Sequence, residues 1–257
     1  MNDRQSAERT WRVIVGVLVV LTLATAVASS LVSGSLLVAL GATATALAIA
    51  AVGLLAPGAL AESWREHRPY VWLATGLFAA GTVVGVLLVL AGYDLLEFFL
   101  ELLDEELAAG DGTGPEEGDL ELSAGFFIFQ NTPPFLVSIF GALTLGVLTA
   151  VVMVFNGVLV GNVVYVVGQE VGFGLVFLSV APHGVFELPA LFVAAGVGFR
   201  FLHRFVQRIL GTREAFLTKP YLYRTGVLVL FAWLVLVLAA FVEAYVTLWL
   251  VDLVVPA

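Results

Sequence analysis

The stretch VIVGVLVVLTLATAVASSLVSGSLLVALGATATALAIAAVGLLAPGALA, residues 13–61, decides the fold class. It carries no charged side chain from end to end. A bilayer core about 30 Å thick is crossed by roughly 20 helical residues. As one helix the stretch would reach roughly 73 Å at about 1.5 Å per residue, so it must turn back on itself. Ser29, Ser30, Ser33, Gly34 and Ser35 supply the turn. Two spans are therefore predicted, residues 11–31 and 36–60.

The same pattern repeats along the chain. Residues 69–93, 122–169 and 225–242 are also free of Asp, Glu, Lys and Arg. A third span is predicted at 70–92. The second of these blocks is again too long for one crossing. Pro133 and Pro134 suit the first turn of a helix, where a missing N–H costs little. Asn156-Gly157 reads as a turn, and Pro182-His183-Gly184 as another break. These marks predict spans at 134–155, 159–180 and 184–202, with a seventh at 225–250. The chain is thus expected to be all-α, a polytopic transmembrane bundle of about seven spans. Residues 1–61 form a two-span hairpin in this reading, and 62–257 a second unit of about five spans.

Composition agrees. Of 257 residues 61% are hydrophobic and 12% charged, about half the charged share of a soluble domain. The absence of Cys removes disulfides, thiolate metal sites and Cys nucleophiles. A net charge of −9 argues against nucleic acid as a partner, because phosphate binding needs clustered positive charge. The expected surroundings are the lipid bilayer and other membrane or envelope proteins. Gly141 and Gly146 offer small-residue faces for a homo-oligomer, although nothing demands one.

Arginine placement orients the bundle. Arg4, Arg9 and Arg12 precede the first span, and Arg65 and Arg68 follow the second. Arg200, Arg204, Arg208, Arg213, Lys219 and Arg224 lie between the sixth and seventh. Seven spans with a cytoplasmic N-terminus put all three groups inside, as the positive-inside rule requires, and leave the C-terminus outside. Ala26-Val27-Ala28 before Ser29 imitates a signal cleavage site, but the hydrophobic span that follows at once favours a retained first span.

Two loops have amphipathic character. In the acidic outer loop, 93–125, Asp94, Glu97, Glu101, Asp104 and Glu105 recur at helical spacing, with Leu95, Leu96, Phe98, Phe99, Leu102 and Leu103 on the other face. This predicts a helix on the outer surface, followed by a flexible acidic stretch at 110–118. In the basic inner loop, 200–224, Arg200, Arg204 and Arg208 alternate with Phe201, Phe205, Val206 and Ile209, which predicts a surface anchor on the inner leaflet.

Polar residues at membrane depth are costly and mark the candidate site. They are Asn131, Asn156, Asn162, Gln169, Glu170, His183 and Glu187. Asn131 is expected to cap the fourth span, and Asn156 and Asn162 to flank a turn. Gly168, Gly172 and Gly174 around Gln169 and Glu170 permit a broken segment or close helix packing. His183 and Glu187 stand four apart and share a helix face. They fit a satisfied helix junction, a proton relay, or two ligands of one metal. Glu170 is the expected third ligand, although straight helices hold it roughly 15 Å below the exit of its span. Glu243 is expected near the outer end of the seventh span and carries little weight. No phosphate loop, serine elbow, His-Glu-x-x-His or nucleotide fingerprint occurs. No cofactor is expected and an enzyme is not favoured; the alternative that Glu170, His183 and Glu187 leave open is an ion or small-solute transporter, or an intramembrane metal- or proton-dependent enzyme.

The run Asn131, Phe140-Gly141, Gly146, Asn156-Gly157, Gly161 and Pro182-His183-Gly184-Val185-Phe186-Glu187-Leu188-Pro189-Ala190 resembles the stage II sporulation protein M family. The resemblance covers residue 70 to the C-terminus and is strongest over 131–199. It implies a non-enzymatic membrane scaffold, similar to the family member that recruits cell-wall hydrolases during engulfment of the forespore. It also implies a five-span pattern, to which the first two spans are an addition. The acid-rich, Lys-poor composition is halophile-like and resembles that of salt-loving archaea, which suggests an archaeal-type member.

Overall fold

The computed structural model describes residues 3–95 and 122–254. No strand occurs among them. Helix α1 covers Asp3–Ser33, α2 Leu36–Leu55 and α3 Pro57–Leu90. Helix α4 covers Ala124–Phe140 and ends in a 3-10 turn, Gly141–Thr144. Then come α5, Val147–Val171, and α6, Phe173–Ile209. Helix α7, Lys219–Phe241, runs through a π-helical segment, Val242–Thr247, into α8, Leu248–Val254. Counting α7 to α8 as one, seven helices are long and apolar enough to cross a membrane. The all-α, seven-span expectation holds. Of the expected acidic outer helix, residues 96–121 lie outside the described residues, and so does the 110–118 stretch.

The seventh span is the axis of the bundle. Of its most apolar window 67% is buried, against 44% or less for every other span. Leu228, Leu236 and Leu238 on it are fully enclosed. Trp11 meets its Phe231 edge-on at 5.5 Å and Trp64 of α3 at 6.2 Å. The perimeter is apolar instead: Leu55 and Leu143 are each 84% exposed. A continuous apolar outer surface suits hydrocarbon, not water.

Helices α3 and α5 lie side by side in backbone contact. A Cβ added at Gly81 or Gly85 of α3 would overlap the carbonyl of Val154 or Val158, and one at Gly157 or Gly161 of α5 the carbonyl of Phe78 or Thr82. Small residues of this kind let membrane helices close up. This explains why the expected turn at Asn156-Gly157 is absent: those residues lie mid-helix in α5. The chain turns earlier, at Leu145 and Gly146, both with positive φ (53° and 76°). The next break comes at Gly172, φ 91°, a backbone conformation that disfavours side chains. It does not come at Pro182-His183-Gly184. Pro182 and Pro189 stay inside α6, as neighbouring helices in a membrane allow. Pro133 and Pro134 are likewise interior to α4, whose cap is Ser123, accepting from the Phe126 N–H at 3.3 Å. Gly141 and Gly146 abut Thr149 and Leu202 of the same chain, so they present no open dimer face.

Candidate functional site

The early break at Gly172 sets the depth of the Pro-His-Gly segment. His183 falls about ten residues into α6, roughly 15 Å along the helix from the turn. His183 and Glu187 point from one face of α6 toward the π-helical segment after α7. A π turn is wider than an α turn and changes which side chains face a neighbour. Here it presents Glu243 and Thr247. The His183 Nδ1 lies 3.4 Å from Thr247 Oγ1, and its Nε2 3.9 Å from Glu243 Oε1. Ligand atoms of His183, Glu187 and Glu243 all lie within 4.8 Å of one another. The side chains of His183 and Glu243 are 13% and 21% exposed. The Oε2 atom of Glu243 is buried without a hydrogen-bond partner among the described residues. A buried carboxylate oxygen in that state calls for a cation or a proton.

One imidazole nitrogen and two carboxylates form a nitrogen and oxygen donor set suited to a divalent transition metal. Two carboxylate charges cancel the charge of such an ion, which matters at membrane depth. Donors on a metal with bonds of about 2.0–2.2 Å stand roughly 3.4 Å apart. Pro182 and Pro189 bracket the segment and remove the amide donors that the carbonyls of Leu178 and Val185 would otherwise receive.

Glu170 does not join this cluster. It and Gln169 are exposed at the end of α5, beside the Gly172 turn. The expected depths of Glu170 and Glu187 are reversed because the chain breaks at Gly172 and not at Pro182-His183-Gly184. Glu243 takes the third position. Its signal in the sequence is a lone carboxylate that interrupts an apolar run from Thr225 to Val251.

The three amides part ways. Asn131 is interior to α4 and caps nothing. Asn156 donates to its own helix, at the Val152 carbonyl, 2.8 Å. Asn162 is fully buried and ties down the end of α3. Its Oδ1 accepts from the Leu95 N–H at 3.0 Å, and its Nδ2 donates to the carbonyls of Tyr93 at 3.1 Å and Gly85 at 3.4 Å. Asn162→Ala strands these groups and is expected to cost about 1–3 kcal/mol. Unfolding in mixed detergent checks the value; an unchanged midpoint would show that water replaces the amide.

A second polar cluster was not legible. At the arginine-rich end, Glu66 of α3 accepts from Arg200 Nη2 at 2.6 Å and from Arg204 Nη1 at 3.0 Å. Arg224 of α7 bonds Glu62 at 2.9 Å and approaches Glu66 at 3.7 Å. Arg204 also lies 3.6 Å above the Tyr221 ring and donates to the Phe216 carbonyl at 3.0 Å. Tyr70 bridges Arg200 and His203 at 3.2 and 2.8 Å. The stretch read as a basic surface segment is the continuation of α6. Arg208, Phe205, Val206 and Ile209 remain exposed, whereas Arg200 and Arg204 turn inward.

No solved structure matches. An uncharacterized protein of Methanocaldococcus jannaschii is 30% identical over 108 residues. The match covers 42% of this chain and 61% of that relative, so the chain spans about three fifths of the curated relative it matches. The family model described as Stage II sporulation protein M matches residues 74–248, which runs from the middle of α3 through the π-helical segment and takes in the His183 cluster and both partners of the α3–α5 contact. The chain belongs to the stage II sporulation protein M family.

Proposed function

We propose that this chain is a cation-dependent membrane scaffold, in which a divalent metal ion held by His183, Glu187 and Glu243 clips α6 to the last span. The observation that carries the reading is the convergence of three ligand-type side chains from two helices within 4.8 Å. The scaffold role is supported by membership of the family. In this reading the arginine-rich end faces the cytoplasm, the C-terminus lies outside, and α1 with α2 is an addition to the family unit.

The test is metal content and stability of the protein purified in lipid nanodiscs. A site filled to about 100 times its dissociation constant adds about 2.7 kcal/mol. One zinc or manganese ion per chain is expected, with a raised unfolding midpoint that chelator reverses. His183→Ala and Glu243→Gln should each abolish that response. An unchanged midpoint with zinc, manganese, iron and cobalt would overturn the metal clip. The scaffold role has its own check: mild extraction should recover envelope proteins with the wild-type chain and fewer with His183→Ala. Recovery of none counts against it.

The unpartnered Oε2 of Glu243 favours a second reading, in which the same cluster carries a proton. Acidification of proteoliposomes that depends on Glu243, without metal binding, would select it.

A further inference from the structure

At the arginine-rich end a cleft of about 630 Å³ opens between α1 and α3, lined among others by Thr10, Trp11, Glu62, Trp64, Arg65 and Arg68. Below it lies a second cavity of about 470 Å³, whose lining includes Val71, Trp72, Phe186, Val193 and Phe231. Trp11, Ile14 and Trp64 line both, so the polar cleft leads into the apolar groove. We infer that the pair forms a binding site for one anionic phospholipid, its phosphate at Arg65 and Arg68 and an acyl chain in the groove.

Three observations support that occupant. The first is charge. Arg65 and Arg68 are exposed, and neither forms an ion pair with a carboxylate among the described residues. The carboxylate of Glu62 in the same cleft is held by Arg224 at 2.9 Å, so the cleft presents net positive charge. The second is length. From Arg65 to Thr75 the two cavities follow α3 for roughly 15 Å at about 1.5 Å per residue, half of a 30 Å core and so the depth of one leaflet. The third is polarity. Tryptophans at the junction suit the headgroup level, where an amphipathic ring has one wet and one apolar side. Basic pockets between helices on the cytoplasmic side are the type of site that holds anionic headgroups.

Native mass spectrometry of the full chain, released from detergent with defined lipids, tests the site. Phosphatidylglycerol should be retained about tenfold or more over phosphatidylcholine, the preference two interfacial arginines support. The variant R65Q/R68Q should retain both lipids equally, while R9Q/R12Q, outside the cleft, should keep the preference. Both variants alter exposed side chains, and matching unfolding midpoints would confirm that each is folded. Short-chain phosphatidylglycerol should bind at least tenfold more weakly, because it leaves the groove unfilled. Equal retention of the two lipids by the wild type, an unchanged preference in R65Q/R68Q, or displacement of the lipid by inorganic phosphate would each overturn the proposal.

Discussion

Replacing Glu66 by alanine is expected to destabilise the bundle by about 3–5 kcal/mol, the range for removing one partner of a buried ion pair. Its Oε1 accepts from Arg200 Nε at 3.2 Å, from Arg200 Nη2 at 2.6 Å and from Arg204 Nη1 at 3.0 Å. The side chains of Glu66, Arg200 and Arg204 are 20%, 12% and 3% exposed. Without the carboxylate two guanidinium groups face each other in a poorly hydrated site. Arg204 keeps the Phe216 carbonyl and the Tyr221 ring, and Arg224 keeps Glu62, but among the described residues Arg200 keeps only Tyr70, through its hydroxyl and its ring. Three spans, α3, α6 and α7, lose their common tie. Unfolding of the purified protein in mixed detergent measures the loss. Arg208→Gln, at an exposed position, should fall within about 0.5 kcal/mol of wild type. Replacing Glu66, Arg200 and Arg204 together by methionine should recover much of the difference, since the penalty is unpaired buried charge and not a lost attraction. A loss below about 1 kcal/mol for Glu66→Ala would mean that water reaches the arginines, which places the cluster in the headgroup region.

That cluster shows where sequence reading stops. The number of spans was legible because apolar length is a one-dimensional property, and seven such helices are present. The boundaries inside residues 122–202 were not. Gly157 and Gly161 have the composition of a turn, yet they serve close approach to α3. The choice between the two roles depends on a neighbour distant in sequence. Pro182 likewise reads as a stop in isolation and is carried inside α6, because a packed membrane helix tolerates it. Placing these two breaks wrongly moved Glu170 inward and His183 outward. The helical pairing of His183 with Glu187 survived, since it needs only the local period. The partner from the last span did not, because a π-helical segment has no readable period that would aim Glu243. Charge was misread in a similar way. Arg200, Arg204 and Arg208 look alike at a spacing of four, and only the presence of Glu66 beside two of them separates an ion-pair network from a surface anchor.

The α3–α5 contact carries the other large effect: Gly161→Leu should leave no monodisperse folded protein to recover. The clash is not one that a rotamer relieves. The Cβ itself would overlap the Thr82 carbonyl oxygen, and Thr82 Cα lies 2.9 Å from the same point. Overpacking a core with flexible side chains costs typically about 1–3 kcal/mol; here two backbones must separate, so the cost should exceed that range. Separation also breaks the Asn162 bonds to Gly85, Tyr93 and Leu95, whose length depends on the same approach. Gly76→Ala on α3 provides the opposite sign. A Cβ there meets nothing within 4 Å, and alanine is favoured over glycine in a helix by about 1 kcal/mol. It should raise the unfolding midpoint. Recovery of Gly161→Leu with a wild-type midpoint would show that α3 and α5 are not in backbone contact. The comparison also bears on the histidine cluster. Helix α5 ends at the Gly172 turn from which α6 descends to His183. Under the proposed metal clip, displacing α5 should therefore weaken metal retention in Gly161→Ala, whose Cβ meets the same Thr82 carbonyl with less bulk behind it, while Gly76→Ala leaves it intact. Equal retention in the two would mean that α6 and the last span hold the ion without help from the α3–α5 pair.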